Sequence, residues 1–207
     1  MIFDFISDFY DVFYKNKNYK YESNQIIKYL DLNKNKKKIK ILEVGAGTGG
    51  HTRYFLDYSS IYCINDKNTK MLNIAKKKNY INKSNIIFNN QDAKKINLNL
   101  KFELIISLFH VINYMNSYKE LDDLFKSFAK LIKPKSMLVF DSWYGPSVLK
   151  FKPKKTNVKI KTRDLIITRR SQPDFLFDKN IVNVNYDFKV NANNGKKIYT
   201  HKETHQI

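Results

Sequence analysis

A glycine-rich segment in the first quarter of the chain is the clearest candidate for a ligand-binding site. It reads Ile41-Leu42-Glu43-Val44-Gly45-Ala46-Gly47-Thr48-Gly49-Gly50. The apolar run Ile39–Val44 before it is typical of a buried parallel strand. Glycines in such a loop adopt backbone angles closed to other residues and let a ligand approach the main chain. Gly45, Gly47 and Gly50 fit the dinucleotide-binding pattern G-x-G-x-x-G. Glu43, together with Gly45, Gly47 and Gly49, also forms the pattern E-x-G-x-G-x-G.

Two further acidic residues follow the next two predicted strands. Asp66 lies just after the strand Ile61–Ile64. A carboxylate at that position can accept hydrogen bonds from both hydroxyls of a ribose. Asp92 follows the strand Ile86–Phe88, where a carboxylate can accept a hydrogen bond from the exocyclic amine of adenine. A single Asp is more often a turn residue or a helix cap. Acidic residues at successive strand ends indicate an adenosine cofactor, although NAD-binding folds share the first of these two features.

On these residues, the segment from about Ile39 to Pro146 resembles class I S-adenosylmethionine-dependent methyltransferases. Glu43 and the three alternating glycines match the first motif of that family, and Asp66 and Asp92 match its ribose and adenine acids. The resemblance implies an α/β fold with three layers, a Rossmann-like and mostly parallel sheet of seven strands. It also implies S-adenosylmethionine as the cofactor and methyl transfer from a sulfonium.

The resemblance further implies which residues contact the cofactor. Tyr14 and Tyr19 belong to an N-terminal segment that in this family folds over the cofactor. The other expected contacts come from the strand ends and the segments that follow them: Glu43, Gly45, Ala46, Gly47, Gly49, Asp66, Met71, Asp92, Ala93 and Leu108.

A narrower likeness covers nearly the whole chain. The segments 10–14 (YDVFY), 107–114 (SLFHVINY) and 140–146 (FDSWYGP) are similar to small-molecule methyltransferases. Among these, the N,N-dimethyltransferases that finish nucleotide-linked deoxyamino sugars are the nearest. Those enzymes carry a histidine where Tyr114 aligns, so this chain departs from their pattern at that position.

Methyl transfer from a sulfonium is an in-line displacement, so the protein has to align the nucleophile and exclude water. An amine nucleophile must also lose a proton, which calls for a base. His110 is the first candidate because the pKa of histidine is about 6.5, although a packed structural histidine is an equal alternative. Tyr14 and Tyr114 are further catalytic candidates. Expected substrate contacts follow the fourth and fifth strands: Phe109, His110, Trp143 and Tyr144.

Alternating hydrophobic patterns predict two regions. Residues 1–150 form the cofactor-binding core, with a helical N-terminus over Met1–Asp31. Residues 151–207 form an antiparallel β extension that serves as a lid or a dimer surface. The core contains strands Glu103–Leu108 and Met137–Asp141, and its helices are predicted over 51–58, 69–78 and 119–133, the last stopped by Pro134. Since the family continues with a helix and two more strands, we expect a fragment or a short sheet, with the final core strands missing.

The formal net charge of +19 is the strongest feature of the composition. It favours a polyanionic partner, but the lysines are scattered and accompany many Asn, Ile and Tyr, as AT-rich codons would produce.

Cys63 is the only cysteine, which excludes an internal disulfide and favours the cytoplasm. His201 and His205 lack the spacing of a zinc-protease motif, so no metal is expected. We expect a small-molecule substrate and no membrane; a homodimer is possible.

Three alternatives stay open. An RNA or DNA methyltransferase is favoured by the charge, but Ser107–His110 replaces the Asn-Pro-Pro-Tyr-like motif of amine-flipping enzymes. A truncated, inactive fold that binds the cofactor or a partner subunit is favoured by the end at Ile207. An NAD-dependent reductase is disfavoured by Asp92 and by the absence of a Tyr-x-x-x-Lys proton relay.

Overall fold

The computed structural model describes residues 3–34, 37–81 and 85–207. These residues divide into two compact units. The first comprises Phe3–Ile112 and Ser117–Ser142, and the second comprises Asn113–Asn116 and Trp143–Ile207. The division between Ser142 and Trp143 lies a few residues before the boundary expected at residue 150.

The first unit contains a parallel sheet and the helices that connect its strands. The strands are β1 (Ile39–Val44), β2 (Ser59–Asn65), β3 (Ile86–Asn89), β4 (Phe102–Ser107) and β5 (Ile132–Phe140). The helices are α1 (Tyr10–Phe13), α2 (Tyr19–Tyr29), α3 (Thr52–Phe55), α4 (Thr69–Lys76) and α5 (Tyr118–Leu131).

The strand order of this sheet is β3-β2-β1-β4-β5, and all four pairings are parallel. The chain therefore moves outward from β1 to β3 and then returns to place β4 beside β1. Ligands of open parallel sheets bind beyond the carboxyl ends of the strands at such a reversal. The segments that follow β1 and β4 flank this point.

Both faces of the sheet are covered, as a three-layer fold requires. Ile41 and Leu104 lie on one face, within a core that includes Ile27 and Phe55 from the helices. The alternate residue Leu42 points to the other face and is also fully buried. The uninterrupted apolar sequence of β1 follows from this double burial, because a strand with one face in water would alternate. The expected α/β fold class is confirmed.

Helix α5 has the regular pattern that the sequence predicts, but it ends two residues earlier. Ser117 caps it by accepting a hydrogen bond from the backbone N–H of Glu120 at 3.2 Å. Leu131 is its last residue, and the chain enters β5 at Ile132, so the predicted end at Lys133 is wrong. Proline disfavours helical angles in the residue before it, and Pro134 therefore drives Lys133 into the strand.

The predicted N-terminal helix is interrupted. After a 3-10 turn and α1, the chain leaves helical geometry at Tyr14, and α2 begins at Tyr19. Asn18 causes the restart, because its side chain accepts a hydrogen bond from the backbone N–H of Tyr21 at 3.0 Å. The first two residues of the predicted helix lie outside the described residues. The helix predicted over 51–58 is likewise shorter, because α3 ends at Phe55 and a 3-10 turn follows.

The second unit contains a short helix and an antiparallel sheet. Its elements are α6 (Gly145–Lys150), β6 (Thr156–Lys161), β7 (Leu165–Leu176), β8 (Ile181–Ala192) and β9 (Lys197–Gln206), with strand order β6-β7-β8-β9. In β8, Val182, Val184 and Phe188 are buried while Asn185 and Lys189 are exposed. The alternation of apolar and polar residues along β8 therefore corresponds to one covered and one solvated face of this sheet. Across the described ranges of both units, no helix is long and apolar enough to cross a membrane.

The buried face of α5 supplies a test of the packing. Leu124 is fully buried, so we expect Leu124→Ala to lower the free energy of unfolding by about 2–5 kcal/mol, through lost apolar contacts and a residual cavity. Urea denaturation followed by circular dichroism measures this loss. Lys126 lies on the same helix in an exposed pair with Asp122, and Lys126→Ala should cost far less, because exposed ion pairs contribute little to stability. Equal losses in the two variants would contradict the described packing.

Candidate functional site

The loop after β1 is held in a backbone conformation that requires glycine. Gly45, Gly47 and Gly49 have φ values of +68°, +57° and +78°, a region that is strained for residues with a Cβ. A Cβ at Gly45 would lie 2.5 Å from a methyl of Val111, so this glycine also permits close packing. A Cβ at Gly47 would meet no atom within 4 Å. The main chain of Gly47 is therefore open to a ligand.

Asp66 joins this loop to the end of β2. One carboxylate oxygen accepts a hydrogen bond from the backbone N–H of Gly47 at 2.8 Å, and the other accepts one from Asn68 at 2.7 Å. Burial raises the pKa of Asp66, while these two N–H groups act in the opposite direction. The predicted ribose acid thus stands directly against the predicted glycine loop.

Asp92 lies at the same edge of the sheet as Asp66. It follows β3, and its carboxylate accepts a hydrogen bond from the backbone N–H of Lys94 at 2.9 Å, which starts a 3-10 turn. Asn90, two residues before Asp92, ties the end of β3 to that of β2, because its side-chain amide donates to the backbone carbonyl of Asp66 at 2.8 Å. The acids predicted for ribose and adenine therefore follow neighbouring strands on one side of the molecule.

Glu43 was predicted to contact the cofactor, and the structure places its carboxylate inside the first unit. One oxygen accepts hydrogen bonds from the hydroxyls of Thr52 at 2.5 Å and Tyr62 at 2.8 Å. Burial raises the pKa of Glu43 to about 7, against the lowering effect of those two hydroxyls. Glu43 thus links β1 to the start of α3 and to β2, beneath the glycine loop.

The N-terminal segment packs over the loop. Asp11 accepts a hydrogen bond from the hydroxyl of Thr48 at 2.6 Å. The ring of Tyr19 lies against Gly50, where a Cβ would come within 2.5 Å of a ring carbon, and it meets the ring of His51 edge-on at 4.8 Å. The predicted contact residue Tyr19 is therefore part of the cover of the glycine loop.

A charged cluster fixes this cover in place. Nε2 of His51 lies 2.7 Å from one carboxylate oxygen of Glu22, and the ammonium of Lys17 lies 2.5 Å from the other. Burial raises the pKa of Glu22, but Lys17 and His51 outweigh it and the net direction is down. Burial lowers the pKa of His51, although Glu22 opposes this effect. The Lys17 ammonium also lies 4.1 Å from the centre of the Phe109 ring.

The segment after β4 carries two strained residues in succession. Phe109 and His110 have φ values of +69° and +61°, which are uncommon for residues other than glycine and occur at functional sites. Asp141, after β5, holds the turn by accepting a hydrogen bond from the backbone N–H of His110 at 2.8 Å. Its second oxygen lies 3.5 Å from Nδ1 of His110. The Tyr14 ring meets Phe109 edge-on at 5.1 Å, so two predicted site residues are in contact.

The remaining predicted residues divide between the two units. Ala46, Met71, Ala93 and Leu108 belong to the first unit, where Met71 and Leu108 are buried. Tyr114, Trp143 and Tyr144 belong to the second unit. The backbone N–H of Trp143 donates to the side chain of Asn113 at 3.0 Å, whereas Tyr144 is 69% exposed.

Sequence reasoning did not identify Glu22, His51, Lys17 and Asp141. Glu22 and His51 are 29 residues apart, and no local pattern connects them. Asp141 could have been found, because it follows the fifth strand as Asp66 and Asp92 follow theirs. Within residues 3–34, 37–81 and 85–207, no group of three or more His, Cys, Asp or Glu side chains is arranged to hold a metal ion.

Comparison with known proteins identifies related sequences and folds. The sequence pattern of the family described as nodulation protein S (NodS) matches residues 10–146. The dTDP-3-amino-3,4,6-trideoxy-alpha-D-glucopyranose N,N-dimethyltransferase of Streptomyces venezuelae is 26% identical over 142 residues, which cover 68% of this chain. The matched region spans 58% of the length of that enzyme.

Two solved structures illustrate the likeness in fold. The crystal structure of Streptomyces venezuelae DesVI superposes with a TM-score of 0.78 at 22% identity, covering 97% of this chain and 82% of DesVI. The N-methyltransferase NodS of Bradyrhizobium japonicum WM9, in complex with S-adenosyl-l-homocysteine, gives a TM-score of 0.54 at 15% identity, covering 72% and 83%. These likenesses confirm the methyltransferase fold that the sequence predicts.

The raised pKa of Glu43 makes the stability of the fold depend on pH. The folded-state pKa of about 7 lies above the ordinary value of 4.5, so the folded protein binds the proton more tightly. The stability that protonated Glu43 contributes is complete below pH 4.5 and is lost as the pH rises to about 7, by roughly 3 kcal/mol. Because Glu43→Gln stays neutral, its stability relative to the native protein should improve by that amount between pH 5 and pH 8. Urea denaturation at both pH values measures this, and an unchanged difference would refute the assignment.

Proposed function

Because the chain belongs to the nodulation protein S (NodS) family, we propose that it is an S-adenosylmethionine-dependent methyltransferase that methylates the amine of a nucleotide-linked amino sugar. One observation carries the proposal: the open main chain at Gly47 meets the carboxylate of Asp66 at the carboxyl edge of a parallel sheet. The substrate class is supported by the Streptomyces venezuelae relative, an N,N-dimethyltransferase of a dTDP-linked amino sugar.

The residues of the first unit fit an adenosyl cofactor. Gly47 leaves the main chain accessible, and Asp66 and Asp92 supply acceptors for the ribose hydroxyls and the adenine amine. The bound cofactor supplies an activated methyl group, so no metal is required. Tyr14 and Tyr19, with the Lys17–Glu22–His51 cluster, exclude water from the loop.

On the acceptor side, the strained pair Phe109–His110 follows β4 at the chain reversal of the sheet. Asp141 fixes the backbone of His110, and the rings of Tyr14 and Phe109 present an apolar wall. The amine has to lose a proton during transfer, and the candidate acceptors in the first unit are His110 and Tyr14. The role of Tyr114, which belongs to the second unit, stays a prediction. Contacts of Trp143 and Tyr144 with the substrate, and a lid or dimer role for β6–β9, stay predictions.

The net charge of +19 favours an anionic acceptor. A nucleotide-linked sugar carries a diphosphate, and so it satisfies this preference without a nucleic acid. An RNA or DNA acceptor is the alternative that the charge also favours. We place the reaction in the cytoplasm, because Cys63 is a buried free thiol and a reducing compartment keeps thiols free.

A methyl-transfer assay tests the proposed function. We expect the purified protein, with radiolabelled S-adenosylmethionine, to add first one and then two methyl groups to a dTDP-linked 3-amino-deoxysugar, detected by mass spectrometry. The matched control replaces the amine with a hydroxyl, and this compound should gain no methyl group. Methylation of total RNA without methylation of the amino sugar would replace the proposal with the nucleic-acid alternative.

Asp66 provides a second test, because its carboxylate should carry the ribose contacts. We expect Asp66→Ala to weaken the binding of S-adenosylhomocysteine about ten- to a hundredfold, the loss typical of hydrogen bonds to a charged group. Fluorescence titration measures this affinity. Asp122, an exposed partner of Lys126 on α5, serves as the matched control, and Asp122→Ala should bind normally. Unchanged affinity in folded Asp66→Ala would remove Asp66 from the cofactor site.

A further inference from the structure

The short helix α1 contacts both chain segments that flank the reversal point of the parallel sheet. Asp11, in the first turn of α1, accepts a hydrogen bond from the hydroxyl of Thr48 at 2.6 Å. Tyr14, the residue after α1, meets the ring of Phe109 edge-on at 5.1 Å. Thr48 lies in the loop after β1 and Phe109 in the segment after β4, and all four residues belong to the first unit. Helix α1 therefore joins the two segments beside which ligands of such sheets bind.

Thr48 occupies the middle of the glycine loop and is almost completely buried. Gly47 and Gly49 on either side have left-handed φ values, and Thr48 itself is 1% exposed. A hydroxyl that is removed from water needs a hydrogen-bond partner, and the carboxylate of Asp11 provides one. Glycine restricts the backbone less than any other residue, so a side chain between two glycines is an effective anchor for the loop. Asp11 holds that anchor.

Contacts on either side of Asp11 fasten the N-terminal segment to the same edge of the sheet. The carboxylate of Asp4 accepts a hydrogen bond from the side-chain amide of Asn68 at 2.9 Å, shortly after β2. One carboxylate oxygen of Glu22 lies 2.7 Å from Nε2 of His51, which directly follows the last glycine of the loop. The N-terminal segment from Asp4 to Glu22 is thus attached at successive points. The middle contact, at Asp11, is made to the residue between the glycines.

The two oxygens of the Asp11 carboxylate have different partners. One accepts the hydrogen bond from Thr48, and the other pairs with the ammonium of Lys78, shortly after α4. The side chains of Asp11 and Lys78 are 46% and 26% exposed, and exposed ion pairs contribute little. The bond to the buried hydroxyl of Thr48 is therefore the stronger constraint. An asparagine at position 11 would keep an oxygen for Thr48 and lose the ion pair, so the two contacts can be separated by substitution.

We propose that Asp11 is a positioning residue that holds the N-terminal segment against the glycine loop and thereby slows the dissociation of the bound adenosyl cofactor. The inference rests on the proposed function, in which the cofactor lies against the main chain of Gly47. When Thr48 is anchored, the loop keeps the shape that binds the ligand, and release requires the contact with Asp11 to break. By linkage, the bound ligand must strengthen the contact between Asp11 and Thr48 by the same factor.

Dissociation kinetics of S-adenosylhomocysteine test this role. We expect Asp11→Ala to raise the dissociation rate constant about tenfold, the lower end of the loss for a hydrogen bond to a charged group. The association rate constant should stay within about threefold, because variants of one site differ mostly in dissociation. Thr48→Val removes the hydroxyl at nearly constant shape and should have the same effect. Because both variants break one contact, the double variant should dissociate no faster than the faster single variant. Stopped-flow fluorescence measures both rate constants.

Two control variants separate the hydrogen bond from the charge of Asp11. Asp11→Asn keeps an acceptor for Thr48 and should dissociate within about threefold of the native rate. Asp8 is an exposed acid in the same segment, and Asp8→Ala should keep the native rate. Native dissociation in Asp11→Ala, or equally fast dissociation in Asp8→Ala or Asp11→Asn, would overturn the role of Asp11. Multiplied effects in the double variant would also overturn it.

Hydrogen exchange followed by mass spectrometry provides a readout that a merely structural role of Asp11 would not change. In the native protein, S-adenosylhomocysteine should slow exchange in residues 3–18 as well as in the glycine loop. In Asp11→Ala, the ligand should still protect the loop but no longer residues 3–18. Ligand protection of the loop alone in the native protein would contradict the inference.

The outcomes distinguish this inference from the proposed function. If the native protein bound no S-adenosylhomocysteine, the proposed function would fail and the inference would fail with it. If the native protein and every variant bound this ligand with the same dissociation rate, the inference alone would fail.

Discussion

The carboxylate of Asp66 is the constraint on which the candidate site depends. It accepts the N–H of Gly47 from the loop after β1 and the N–H of Asn68 before α4, so it joins the ends of two neighbouring strands. Gly47 can present its N–H to Asp66 because its backbone adopts a left-handed angle without cost. The same carboxylate remains at the edge where a ribose would bind. The contacts that hold the loop thus place Asp66 where the proposed ribose contact requires a carboxylate.

Buried polar groups support this edge from below and above. Beneath the loop, Glu43 bonds to Thr52 and Tyr62 in the interior. Above it, Glu22 and His51 tie the N-terminal segment to the residue that follows the last glycine. Buried polar groups are tolerated when they are hydrogen-bonded, and such networks make the surrounding structure rigid. The loop is consequently held in its shape from both sides.

Local patterns in the sequence predict the parts of the fold and the site that depend on neighbouring residues. The apolar strand β1, the left-handed glycines, and the positions of Asp66 and Asp92 after successive strands all follow from such patterns. The ends of elements are less predictable, since Asn18 restarts a helix that periodicity alone would continue. Contacts between distant residues could not be predicted. The pairs Glu22–His51 and Tyr114–His205 are separated by 29 and 91 residues.

Calorimetric titration of the native protein with S-adenosylhomocysteine, and separately with NADH, tests whether the glycine loop and Asp66 bind an adenosyl cofactor or a nicotinamide dinucleotide. Both ligands carry an adenosine whose ribose could meet Asp66, but they differ in the group that continues past the glycine loop. We expect one-to-one binding of S-adenosylhomocysteine and no binding of NADH at the same concentrations. Saturable binding of NADH without binding of S-adenosylhomocysteine would contradict it.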